Sequence, residues 1–77
     1  MINAYVLIQV QVGRSAGVSE EIARIEHVSS SDVVSGPYDV IAVAEAADID
    51  DLGKLVVARI QAVDGVTRTL TCSVISL

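Results

Sequence analysis

The chain has 77 residues, 52% of them hydrophobic, with ten acids against five bases and a formal charge of −5. That length is one domain, 1–77, near the lower limit for folding on a single core. Direct nucleic-acid binding needs clustered Lys and Arg, whereas Arg14, Arg24, Lys54, Arg59 and Arg68 are scattered, so both nucleic acid and anionic membrane are disfavoured as partners.

Only Tyr5 and Tyr38 are aromatic, and the remaining apolar mass is aliphatic. So much of it in so short a chain implies that some apolar surface is buried between subunits. A single cysteine, Cys72, cannot form an internal disulfide, which places the protein in a reducing, cytoplasmic compartment. The opening MINAYVLIQVQV has no basic n-region and reads as a strand, not as a signal peptide or membrane span.

Residues 2–12 alternate with period two. Ile2, Ala4, Val6, Ile8, Val10 and Val12 line one face; Asn3, Tyr5, Leu7, Gln9 and Gln11 line the other. Gly13 ends this strand. In SAGVSEEIARI, Val18, Ile22 and Ile25 recur at helical spacing, with Ser15 as the expected N-cap. A short polar strand, Val28–Ser35, follows, and then a strongly apolar one, Tyr38–Ala46. In AADIDDLGKLVVARIQAV, the seam Ile49, Leu52, Val56, Ile60 and Val63 predicts a helix capped by Asp48 or Asp50, with Gly65 as its left-handed terminator. In the last segment, VTRTLTCSVIS, Val66, Leu70, Cys72 and Val74 are expected on the core face, against Thr67, Thr69, Thr71 and Ser73.

The order is βαββαβ, and the helix-to-strand segments IEHVSSSD and VDGVTRTL resemble each other. Strands one and three are aliphatic on both faces and therefore central; strands two and four are polar and therefore edges. This gives an α+β, ferredoxin-like plait of order 4-1-3-2, an antiparallel sheet with both helices on one face. Tyr5, Leu7, Ile41, Val43 and Ile75 then fall on the uncovered face. They make an apolar patch at or beyond the size a monomer normally exposes, and a face-to-face homodimer is expected there.

The stretch SGPYDVIAVAEA carries the one candidate ligand site. Gly36 and Pro37 shape a loop able to offer backbone N–H groups to a carboxylate, and Asp39 can accept from an ammonium group. An amino acid carries both groups. The same residues also make a tight turn in which Asp39 caps local amides.

The segments VVSGPYDVIAVAEA and IQAVDGVTRTLT resemble the effector-binding and oligomerisation (RAM) domain of the Lrp/AsnC transcriptional regulators, and the likeness covers essentially the whole chain. It implies dimerisation through the sheets, further assembly into larger oligomers, and a free amino acid bound between subunits near a Gly-x-x-Asp turn. Carried over, Gly36, Tyr38 and Asp39 form the ligand turn, and Thr69 and Thr71 of RTLT contribute. Members of the family typically begin with a basic helix-turn-helix domain, whereas this chain starts at the first strand. It therefore resembles a stand-alone effector module, with full-length family regulators as candidate partners.

Other residues carry no site. His27 has no second ligand at metal spacing, Cys72 reads as an inert core thiol, and Asp48, Asp50 and Asp51 suit a helix N-terminus without EF-hand spacing. Gly13-Arg14-Ser15-Ala16-Gly17 lacks the phosphate-loop pattern. With one histidine there is no catalytic constellation, and no metal or cofactor is implied. Two rivals remain. A small dimeric ferredoxin-like monooxygenase or isomerase would need a residue such as Tyr38 directed between helices and sheet. An ACT-like regulatory module would pair its strands side by side.

Overall fold

Residues 1–77 are described by a computed structural model. β1 spans Ile2–Val10, α1 Ser15–Ala23, β2 Val28–Val33, β3 Val40–Ala46, α2 Ile49–Leu55 and β4 Val66–Ser73. α2 runs on through a π-helical turn, Val56–Ile60, closed by Gln61 N–H donating to the Val56 carbonyl at 2.8 Å. The strands form one antiparallel sheet, β2-β3-β1-β4, the expected ferredoxin-like α+β order.

The aliphatic central strands dictate where the core sits. Ala4, Val6 and Ile8 of β1 and Val40, Ala42 and Ala44 of β3 are fully buried against Val18 and Ile22 of α1 and Leu52, Val56 and Ile60 of the second helix. One cluster therefore holds both helices to one face of the sheet. Burying Ile8, Ile22 and Ile60 contributes about 1.5–3 kcal/mol each. Ala42 and Ala44 keep the floor low enough for the helices to approach.

Both helices return to the sheet through the same turn, as the paired segments predict. Val28 N–H reaches the Ile25 carbonyl at 3.1 Å, and Val66 N–H reaches Val63 at 3.2 Å. His27 and Gly65 occupy the same left-handed position, with φ of 75° and 101°. Their carbonyls accept from Glu45 N–H and Gln11 N–H at 2.9 and 2.8 Å, so each turn is stitched to a central strand.

Some local expectations fail for identifiable reasons. Ser15 is the first helical residue and not the cap; Gly13, at φ 81°, turns the chain earlier, and Arg14 becomes the cap while its guanidinium reaches Asp64 at 3.2 Å. Asp48 does cap α2, accepting from Asp51 N–H at 2.8 Å. Ile49 is exposed in the first turn, and Leu55 joins the core in its place. Val12 lies past the end of β1 and is fully exposed.

The largest correction concerns β4. Gln9 pairs with Arg68 but Val10 pairs with Val66, so Thr67 is an extra, bulged residue whose hydroxyl donates to the Gln9 carbonyl at 3.1 Å. One inserted residue inverts all later alternation. Leu70 and Cys72 pair with Leu7 and Tyr5 and so lie on the uncovered face; the Cys72 thiol is exposed, not buried in the core. Thr69, Thr71 and Ser73 pair with Ile8, Val6 and Ala4 and take the helix side. Val74 N–H donates to the Asn3 carbonyl at 2.8 Å and continues the uncovered face. Ile75 falls beyond the strand, and the place expected for it in the apolar patch belongs to Leu70 and Val74.

Candidate functional site

Strand register composes the uncovered face. Tyr5 and Leu7 stand between Val43 and Ile41 of β3 on one side and Cys72 and Leu70 of β4 on the other. Tyr5 is 50% exposed, Leu70 49% and Val74 49%, so this face is open where the opposite one is sealed. Ser30 and Asp32 of β2 border the patch beside Val43 and Ile41, and Asn3, Gln9, Glu45 and Arg68 complete a polar rim. An apolar centre inside a polar rim is the layout of a protein–protein contact.

The Gly36–Asp39 turn is pinned to one end of this face. Asp39 N–H donates to the Ile8 carbonyl at 2.9 Å, and Val34 N–H donates to the Asp39 carbonyl at 2.9 Å. The Asp39 carboxylate accepts from Val10 N–H at 2.9 Å, supplying the acceptor that β3 no longer offers beyond Val40. Gln9 donates its amide N–H to the Pro37 carbonyl at 3.0 Å. Asp39 thus caps an amide on β1, distant in sequence, and not the local amides of its own turn. Its second carboxylate oxygen has no protein donor.

Gly36 has φ of 154°, and a side chain there would meet no atom within 4 Å. Glycine is therefore required by the backbone, and the space over it is open. Leu7, Val34, Ser35, Gly36, Pro37, Tyr38 and Ile41 line an open hollow of about 130 Å³. Tyr38 precedes β3 and lines this hollow on the uncovered side, so it does not point between helices and sheet as strand alternation implied. Without it, Ser19 is the only buried polar side chain, and its hydroxyl is satisfied by Ser31 at 2.9 Å.

Gly36 and Tyr38 line the hollow, Asp39 follows them with its carboxylate turned to Val10 N–H, and Thr69 and Thr71 do not join them within one chain. They sit two strands away on the opposite side of the sheet, and Thr69 accepts from the Gln61 amide at 2.8 Å. Gln9 is the residue that sequence reasoning passed over. Its signal was the pair of amides, Gln9 and Gln11, at the end of a mostly aliphatic strand. No helix is long and apolar enough to cross a membrane.

Residues 3–77 match the sequence profile described as the Lrp/AsnC ligand binding domain. An uncharacterised HTH-type transcriptional regulator from Pyrococcus furiosus is 33% identical over 54 residues, covering 70% of this chain and 36% of the relative. The chain thus spans about a third of the length of that curated relative. The crystal structure of a protein from Thermus thermophilus is similar throughout, with a TM-score of 0.92, 34% identity, and coverage of 100% of this chain and 96% of that one. A Neisseria meningitidis transcriptional regulator, crystallised as its L-Met complex, shares the fold at a TM-score of 0.84 and 16% identity over 97% of this chain and 50% of its own. With the profile matched from the first strand to the last residue, the chain belongs to the Lrp/AsnC ligand-binding-domain family.

Proposed function

We propose that this protein is a non-catalytic, amino-acid-responsive oligomerisation module of the transcription-regulator type. It acts as a homodimer closed face to face through Tyr5, Leu7, Ile41, Val43 and Leu70. The observation that carries this reading is the hollow where the pinned Gly36–Asp39 turn meets Leu7 and Ile41. Its volume of about 130 Å³ is below the roughly 300–1,000 Å³ of small-molecule sites, and a second subunit laid over the face would enlarge and close it.

The chemistry suits a free amino acid. The unshared oxygen of Asp39 accepts from the ammonium group, backbone N–H groups beside Gly36 meet the carboxylate, and Tyr38 and Pro37 contact the side chain. Thr69 and Thr71 take the helix side of the sheet and reach neither the turn of their own chain nor that of a copy packed against the uncovered face, so they stand outside the proposed site. The L-Met complex of the Neisseria regulator supports an amino acid as the class of ligand. Through the same module, full-length relatives carrying DNA-binding domains are candidate partners.

Calorimetric titration with each of the twenty amino acids tests the proposal. Binding by at least one, lost in Asp39→Asn with the fold intact, is expected. No heat at millimolar concentration from any of them leaves an oligomerisation module without a ligand.

A further inference from the structure

The rim of the uncovered face carries an unpaired anion and an unpaired cation on its two opposite edge strands. Asp32 lies on β2 beside Ile41, and Arg68 lies on β4 beside Gln9. Both side chains are exposed, and neither belongs to the chain's ion pairs, Arg14–Asp64 and His27–Glu26. They cannot meet inside one subunit, because three strand spacings of about 4.8 Å separate the edges of the sheet.

We infer that Arg68 of one subunit pairs with Asp32 of a second copy, and that this pair selects how the two sheets face each other. The inference rests on the dimer proposed above. A two-fold axis running along the strands between β3 and β1 lays β2 of one copy over β4 of the other. Facing sheets pack about 10 Å apart, within the joint reach of an Arg and an Asp side chain. Asp32 is level with Leu7 and Leu70, one pair along from Gln9 and Arg68, so the two charges fall near the same end of the face.

An axis running across the strands gives the opposite result. It stacks β2 on β2, which sets each Asp32 beside its own copy with no cation near, and leaves Arg68 over the partner's Val74 end. Glu45 does not compete for Arg68 in the favoured arrangement, because it lies at the far end of β3, paired with Asn3. The same two-fold then produces the ion pair twice, once at each edge. Rim charges of this kind contribute chiefly to orientation and to rejection of wrong arrangements.

Reciprocal charge reversal tests the pair, with the dimer dissociation constant read by sedimentation equilibrium. Arg68→Asp and Asp32→Arg each place like charges opposite one another and are expected to weaken the dimer by about tenfold or more, the effect shrinking at high salt. The double variant restores the pair with its polarity exchanged and is expected to return to within about threefold of wild type. A double variant as weak as the two single effects multiplied, or single variants without effect, overturns the pairing and leaves the dimer standing. A monomeric wild-type chain overturns both.

Discussion

The two faces of the sheet are built from the same two central strands and differ in how finished they are. On one face Ala4, Val6, Ile8, Val40, Ala42 and Ala44 are sealed beneath helices. On the other, Tyr5, Leu7, Ile41 and Val43 alternate with them along the same backbone and remain half open. The covered face is closed by residues that follow in the same chain; the uncovered one sets its aliphatics among Asn3, Gln9 and Glu45 and lacks a lid. In the proposed dimer, apolar side chains on both faces of β1 and β3 serve two events, folding of the subunit and association of two subunits, and the strand register keeps these apart.

The contrast can be broken most severely at Ile8 and Leu7, neighbours that face opposite ways. Ile8→Ala is expected to cost about 2–5 kcal/mol of subunit stability, a large share of what a domain of this size has, while Leu7→Ala acts mainly on association. Urea unfolding checks this. The Ile8 loss should be independent of protein concentration, and the Leu7 loss should grow as the protein is concentrated.

A smaller effect sharpens the role of the turn between the faces. Asp39→Ala removes the acceptor of the part-buried Val10 N–H and is expected to destabilise by about 1–3 kcal/mol. Asp39→Asn keeps a carbonyl acceptor and should recover most of that. If both variants unfold alike, the carboxylate does more for the fold than the hydrogen bond to Val10 accounts for.

The covered face also sets the cost of its two matched turns. A Cβ at Gly65 would sit 3.1 Å from Val18 Cγ2 with φ at 101°, so Gly65→Ala should lose about 1–2 kcal/mol in thermal unfolding. His27 already tolerates φ of 75°, and His27→Gly should change stability by less than about 1 kcal/mol, relief of strain being offset by backbone entropy. The least perturbing probe is Cys72, which pairs with Tyr5 on the uncovered face. Its alkylation should slow as protein concentration rises and the dimer forms; a rate independent of concentration would place Cys72 outside the interface.

Most of this architecture was legible from periodicity. The aliphatic content of both faces of β1 and β3 identified the central strands, and the shared pattern of IEHV and VDGV anticipated two equivalent turns. The Gly36–Asp39 segment was legible as a turn, and Gly36 and Tyr38 line the hollow beside it. Sidedness was not, wherever one residue altered the count. The bulge at Thr67 carries no sequence mark, since a threonine suits a regular strand equally well, yet it moves Leu70, Cys72, Thr69 and Thr71 to the opposite faces. Tyr38 was misplaced because the strand begins at Val40, and Asp39, bonded through its side chain, ends the alternation before it. Gln9 and Arg68 depend on pairing across strands, which local pattern does not contain.

Closure of the uncovered face by a second copy is the claim on which the interface, the completed hollow and the Arg68–Asp32 pair all depend. Sedimentation velocity of the wild-type chain at micromolar concentration tests it most directly. The predicted result is a species of at least twice the 8.1 kDa subunit mass, reduced to 8.1 kDa by Leu7→Glu. A wild-type species of 8.1 kDa at that concentration contradicts it.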